Sequence, residues 1–160
     1  MKKSIILLLT VILCLTLCAC GTTQNFSVAD LEKSLEGKNG VLNVETSGKT
    51  IKEFTYVVED INAEKLSDKS FCENAFYEVL NGNTMNLTYN ELKSMGAFIP
   101  LMSIVNLLKN SDDAEFDYRQ YTEELLGIVC DGNTQKYNEW SVSADIDVVN
   151  DSITILATYE

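Results

Sequence analysis

The sequence predicts an α+β fold: an antiparallel four-stranded sheet made from two hairpins, with about four helices packed mainly on one face. Three observations carry that prediction. Residues 140–159 alternate apolar and polar side chains in two runs joined by Asn150-Asp151. Residues 41–58 hold a second pair of β-type runs about Ser47-Gly48. Between these hairpins, residues 70–130 carry apolar side chains at helical spacing behind capping residues.

In chain order, Ser27 caps a short helix in which Val28, Leu31 and Leu35 recur at helical intervals, and Gly37 and Gly40 stop it. The first hairpin follows, with Phe54, Tyr56 and Val58 alternating. A three-residue loop aligns Leu42 with Phe54, and this register is preferred because the shorter loop sets Leu42 against Glu53. Ser70 and Glu73 form a capping pair before a helix that Asn81-Gly82 closes, and Thr88 with Glu91 repeats the pattern. The stretch from Met95 to Leu108 is the most apolar after the first twenty residues, and reads as a core helix that Pro100 breaks or kinks. At about fourteen residues it is too short to cross a bilayer. Ser111-Asp112-Asp113 opens the last helix, which turns Phe116, Tyr121, Leu125 and Ile128 inward and ends at Asp131-Gly132. In the final hairpin a two-residue turn at Asn150-Asp151 sets Val148 opposite Ile153, Ile146 opposite Ile155, Ala144 opposite Ala157 and Val142 opposite Tyr159.

The first twenty residues have a different character. Lys2 and Lys3 precede an apolar run from Ile5 to Leu17, and Leu17-Cys18-Ala19-Cys20-Gly21 follows. Thirteen helical residues cover about 20 Å, less than the ~30 Å hydrocarbon core. The arrangement resembles a bacterial lipoprotein signal with its lipobox, with Cys18 at a middle position where the family usually has Ala or Ser. The resemblance implies cleavage before Cys20 and acylation of its thiol, because Cys20 follows the small Ala19 whereas Cys14 and Cys18 each follow leucine. Residues 1–19 are then a signal peptide, 20–25 the lipidated cysteine and a spacer, and 26–160 a single extracytoplasmic domain. The expected location is the outer face of the cell membrane, held by lipid.

Loss of residues 1–19 removes two of the 12 basic residues and none of the 24 acidic ones, leaving a net charge of −14. That balance argues against nucleic acid as a partner, and against docking on anionic headgroups through a basic patch. Only Cys72 and Cys130 remain after Cys20. An even pair in an oxidising setting permits a disulfide, and two buried free thiols are the other reading.

The chain has no histidine, so Ser-His-Asp and Cys-His hydrolysis and histidine-ligated zinc are closed to it. Neither a nucleophile elbow nor a phosphate-binding glycine loop occurs in the sequence. No cofactor is expected. No metal site is expected either. Asp112, Asp113, Glu115 and Asp117 suit a first helical turn, and Asp145 and Asp147 suit a solvated strand face. The loop from Asp131 lacks the glycine and the bidentate glutamate of an EF-hand, holding Lys136 and Val142 there. Tyr118, Tyr121, Tyr137 and Trp140 cluster near the last helix and its exit to the sheet, and Tyr137 and Trp140 are the candidate ligand-binding residues. The expected function is a non-enzymatic binding or accessory module for an envelope protein or extracellular ligand. The alternative is a small carboxylate-dependent hydrolase acting on envelope polysaccharide.

Overall fold

The computed structural model describes residues 24–81, 84–109 and 118–160. The expected signal peptide, Cys20, the expected Asn81-Gly82 helix stop, and the acidic run with Phe116 lie wholly or partly outside them. The element order is α1 (Val28–Leu35), β1 (Val41–Ser47), β2 (Thr50–Val58), α2 (Ala63–Leu66), α3 (Lys69–Leu80), a 3-10 turn (Thr84–Asn86), α4 (Tyr89–Met95), α5 (Phe98–Lys109), α6 (Tyr118–Cys130), β3 (Gln135–Tyr137), β4 (Trp140–Asp147) and β5 (Ser152–Tyr159). The class is α+β. The sheet has five strands rather than four, all antiparallel, in the order β1-β2-β5-β4-β3. The additional strand β3 is three residues of the segment between α6 and Trp140.

Both hairpins correct their expected registers by two residues. In β1-β2 the turn is Gly48-Lys49, with Gly48 at φ +63°, as a two-residue hairpin with glycine first requires. A bulge at Lys52 then takes up one residue, so that Val44 meets Phe54 and Leu42 meets Tyr56. In β4-β5 the loop is residues 148–151, and Ile146 pairs with Ile153, Ala144 with Ile155, Val142 with Ala157 and Trp140 with Tyr159. Asp147 forms this wider loop: its carboxylate accepts the amides of Val149 (2.9 Å) and Asn150 (3.0 Å) and the Asn150 side chain (2.6 Å). Val148 thereby leaves the sheet and is half exposed. A shift of two keeps every side chain on its intended face, because strand side chains alternate with period two.

Phe54, Tyr56, Val142, Ile153, Ile155 and Ala157 form the inner face and join Leu31, Leu101, Ile104, Leu125 and Ile128 of the helices in one core. On the opposite face Thr55, Thr154, Leu156 and Ser143 remain partly exposed, and Asp145 is exposed. One side of the sheet is covered and the other meets water.

Helix ends follow local chemistry. Ser27 and Asp30 cap α1 reciprocally, as Thr88 and Glu91 cap α4. For α3 the expected cap at Ser70 is replaced by Asp68, whose carboxylate accepts the Phe71 amide at 3.2 Å. Pro100 neither breaks nor kinks a helix interior. It sits in the first turn of α5, where its missing amide is not needed. The break falls at Gly96-Ala97, because the proline ring would clash with the carbonyl four residues upstream in a continuous helix. Counted across that break, Tyr89–Lys109 is a 21-residue stretch that by length and composition alone could cross a membrane, but half of its most apolar 18 residues are buried within the fold.

Candidate functional site

Tyr137 and Trp140 flank the tight β3-β4 turn, as register partners around Asn138 (φ +54°) and Glu139. The Asn138 amide donates to the Leu108 carbonyl at 2.7 Å, closing the end of α5 and fixing the turn against the helical layer. The sequence therefore gathers these aromatics at the junction it implies, but turns them inward. Trp140 is 3% exposed and Tyr137 6%. The indole packs against Phe26 (5.4 Å between centroids), Phe54 (5.4 Å) and Tyr159 (5.2 Å). The Tyr137 hydroxyl donates to Glu124 at 3.3 Å, and Lys109 bridges to the same carboxylate at 2.9 Å while lying over the rings of Tyr121 and Tyr137. Burial, with the Glu124 charge behind it, holds both phenols well above their usual range.

Trp140 does reach a surface. With Gln24, Phe26, Leu108, Asn138 and Tyr159 it lines a cleft of about 240 Å³ at one end of the sheet. The N-terminal segment enters the fold here. Gln24, within the stretch read as spacer, is already bonded to Ile51 of β2.

A larger hollow of about 420 Å³ opens at the other end of β2, where the β2-α2 connection, α4 and the β4-β5 loop converge. Asp60, Asn62, Glu64, Asn90, Lys93 and Asp151 supply its polar lining. Asp60 pairs with Lys93 at 2.5 Å. The Asp151 carboxylate accepts the Ala63 amide at 3.3 Å and its carbonyl accepts the Ile61 amide at 3.1 Å, which docks the β4-β5 loop on the start of α2. The buried Ser94 hydroxyl reaches the carbonyls of Asn62 (3.0 Å) and Asn90 (3.1 Å), tying α4 to the same place. Asp60 and Asp151 hold left-handed φ values of +59° and +46°, a conformation that aspartate tolerates better than most residues. With Asp60, Glu64 and Asp151 around its rim and Lys93 the cation among its lining residues, the hollow has an acidic, polar character suited to a small cationic or polyhydroxylated ligand. Sequence reasoning passed over these residues because they are isolated acids in separate connections, and only the docked loop unites them.

Among the described residues no group of three metal-ligating side chains occurs. Asp147 is engaged in its loop, and the Asn150 side chain holds its carboxyl below the usual range. Cys72 and Cys130 are unbridged, on helices that pack together: Cys72 is fully buried in α3 and Cys130 is partly exposed at the end of α6. Comparison with protein-family models, with curated proteins and with solved structures finds no match to this chain.

Proposed function

We propose that the protein is a lipid-anchored extracytoplasmic lipoprotein whose folded body serves as a non-enzymatic binding or accessory module of the cell envelope. The signal-like N-terminus with Cys20 supports the anchor. The observation that carries the binding reading is the placement of the two ends of β2. Gln24 clamps the incoming chain to Ile51, and four residues of chain reach at most about 14 Å, so an acyl group on Cys20 would hold this end near the bilayer. The run from Ile51 to Val58 covers about 23 Å at strand spacing, and the acidic hollow opens beyond it, so an anchor at Cys20 would leave the hollow facing away from the lipid. An anchor at one end and an open polar recess at the other suit a module that presents its recess to an envelope partner.

Two experiments test this. Cys20→Ser should move the protein from the detergent phase to the aqueous phase, or leave it unprocessed, and continued detergent partitioning would refute the anchor. A photo-crosslinking residue placed at Asn90, beside the hollow, should capture a discrete partner in cells, whereas one at Thr55 on the open sheet face should not. Equal capture from both positions would refute the recess as the binding surface.

A carboxylate-dependent hydrolase acting on envelope polysaccharide is the second reading, favoured by the acids of the same hollow. Turnover of such a polymer that is lost in both Glu64→Gln and Asp151→Asn would replace the binding reading with this one.

A further inference from the structure

Cys72 and Cys130 are distant in sequence and adjacent in space. α3 packs on α6, and one turn before Cys72 the ammonium of Lys69 lies 2.6 Å from a carboxylate oxygen of Asp131, the residue after Cys130. This ion pair sets the first turn of α3, which holds Cys72, against the end of α6, which holds Cys130. The environments of the thiols differ. Cys72 has no exposed surface, and its S–H also has the Leu66 carbonyl at 3.3 Å as an acceptor. Cys130 is partly exposed, so a reagent in solvent meets it first.

We propose that these residues form a dithiol–disulfide pair in the folded protein, in which Cys130 attacks an incoming disulfide and Cys72 resolves the intermediate. The electrostatics agree with this division of roles. The hydrogen bond from Cys72, helped by the Lys69 ammonium, holds the Cys130 thiol below its usual range against burial and the charges of Asp131 and Glu73. The same hydrogen bond and burial push Cys72 up, with the Asp68 and Glu73 charges adding to the effect.

With a glutathione disulfide as oxidant the atoms and electrons balance. The Cys130 thiolate forms a bond to one glutathione sulfur, and the second glutathione leaves as a thiolate that takes up the Cys130 proton from solvent. The Cys72 sulfur then attacks Cys130 and expels the remaining glutathione, which takes the Cys72 proton. Two thiols of the protein are oxidised, and one glutathione disulfide is reduced to two glutathiones.

The test is exposure of the purified full chain, folded and in detergent, to glutathione disulfide, with timed acid quenching, alkylation and tryptic peptide mapping. Mapping separates both thiols from Cys14, Cys18 and Cys20. Wild type should pass through a mixed disulfide on Cys130 to a bridge joining peptides 70–93 and 120–136. Cys72→Ser should stop at the Cys130 mixed disulfide. Cys130→Ser should leave Cys72 unmodified, or modified at least about tenfold more slowly. Glutathione appearing first on Cys72 in wild type would overturn the proposal, as would a Cys130 mixed disulfide that never resolves. The wild-type time course decides the order of attack even if a variant fails to fold.

Discussion

The side chain of Gln24 pairs with the backbone of Ile51 on both sides, its Nε2 donating to the carbonyl at 2.5 Å and its Oε1 accepting the amide at 2.7 Å. A glutamine amide has the donor and acceptor spacing of a peptide group, so it supplies a one-residue extension of the sheet beside the Lys52 bulge. Gln24→Ala removes both bonds to the backbone of Ile51, a residue with no exposed surface. The expected loss of stability is about 1–3 kcal/mol, measured by urea denaturation. No change in the urea midpoint would show that water replaces the amide without cost.

Gly40 lies against the core at the start of β1, where a Cβ would sit 2.4 Å from the Tyr56 ring and 2.8 Å from the Val57 carbonyl. The Tyr56 hydroxyl donates to the Lys38 carbonyl at 3.1 Å, so the ring cannot swing aside without breaking that bond. Gly40→Ala should therefore cost about 1–3 kcal/mol, whereas Gly37→Ala meets nothing within 4 Å and pays only for its φ of +72°. Thermal melts of the two variants separate the effects.

Trp140 is the chain's single tryptophan, so its fluorescence reports one position. Packed among Phe26, Phe54 and Tyr159, it should emit to the blue of free tryptophan and resist acrylamide quenching until unfolding. Trp140→Ala should cost about 3–5 kcal/mol, as expected for a large aromatic in a filled core. Ready quenching in the native protein would contradict the packing described here.

Tyr121 and Tyr137 predict the alkaline limit of stability. Their folded phenols titrate above the usual value of about 10, so the unfolded chain releases these protons first. The stability they contribute is intact below about pH 10 and is lost as pH rises from there toward their folded values. Tyr121→Phe and Tyr137→Phe should each flatten the fall of stability above pH 10 by up to about 1.4 kcal/mol per pH unit. Unchanged slopes in urea titrations at pH 9 to 11 would show that both phenols ionise in the native state.

Face and class were legible in the sequence, and register was not. Alternation tells which side of a strand Ile146 or Val142 occupies, but a slide of two residues leaves every face intact. The choice among such registers falls to features with little pattern of their own, here the Asp147 carboxylate that widens one loop and the bulge at Lys52 in the other hairpin. Pro100 does not break or kink the helix as its residue type suggests, but stands in the first turn of α5 with the helix boundary upstream at Gly96-Ala97. The break moved upstream because the clash is with the carbonyl of Gly96 rather than at the proline itself. Site residues were less legible. Tyr137 and Trp140 are apolar enough to fill a core as well as to meet a ligand, and sequence alone does not decide between these uses. Cys72 and Cys130 could be paired on paper, but what brings their helices together at that level is the Lys69–Asp131 contact, which has no pattern in the sequence.

The strand order carries a consequence for biogenesis. β5, the final strand along the chain, sits between β2 and β4 and joins the two halves of the sheet. Until residues 152–159 emerge, the first hairpin has no neighbour to complete its ladder. Under the proposed export of this chain, such delayed closure would keep it from locking before it crosses the membrane.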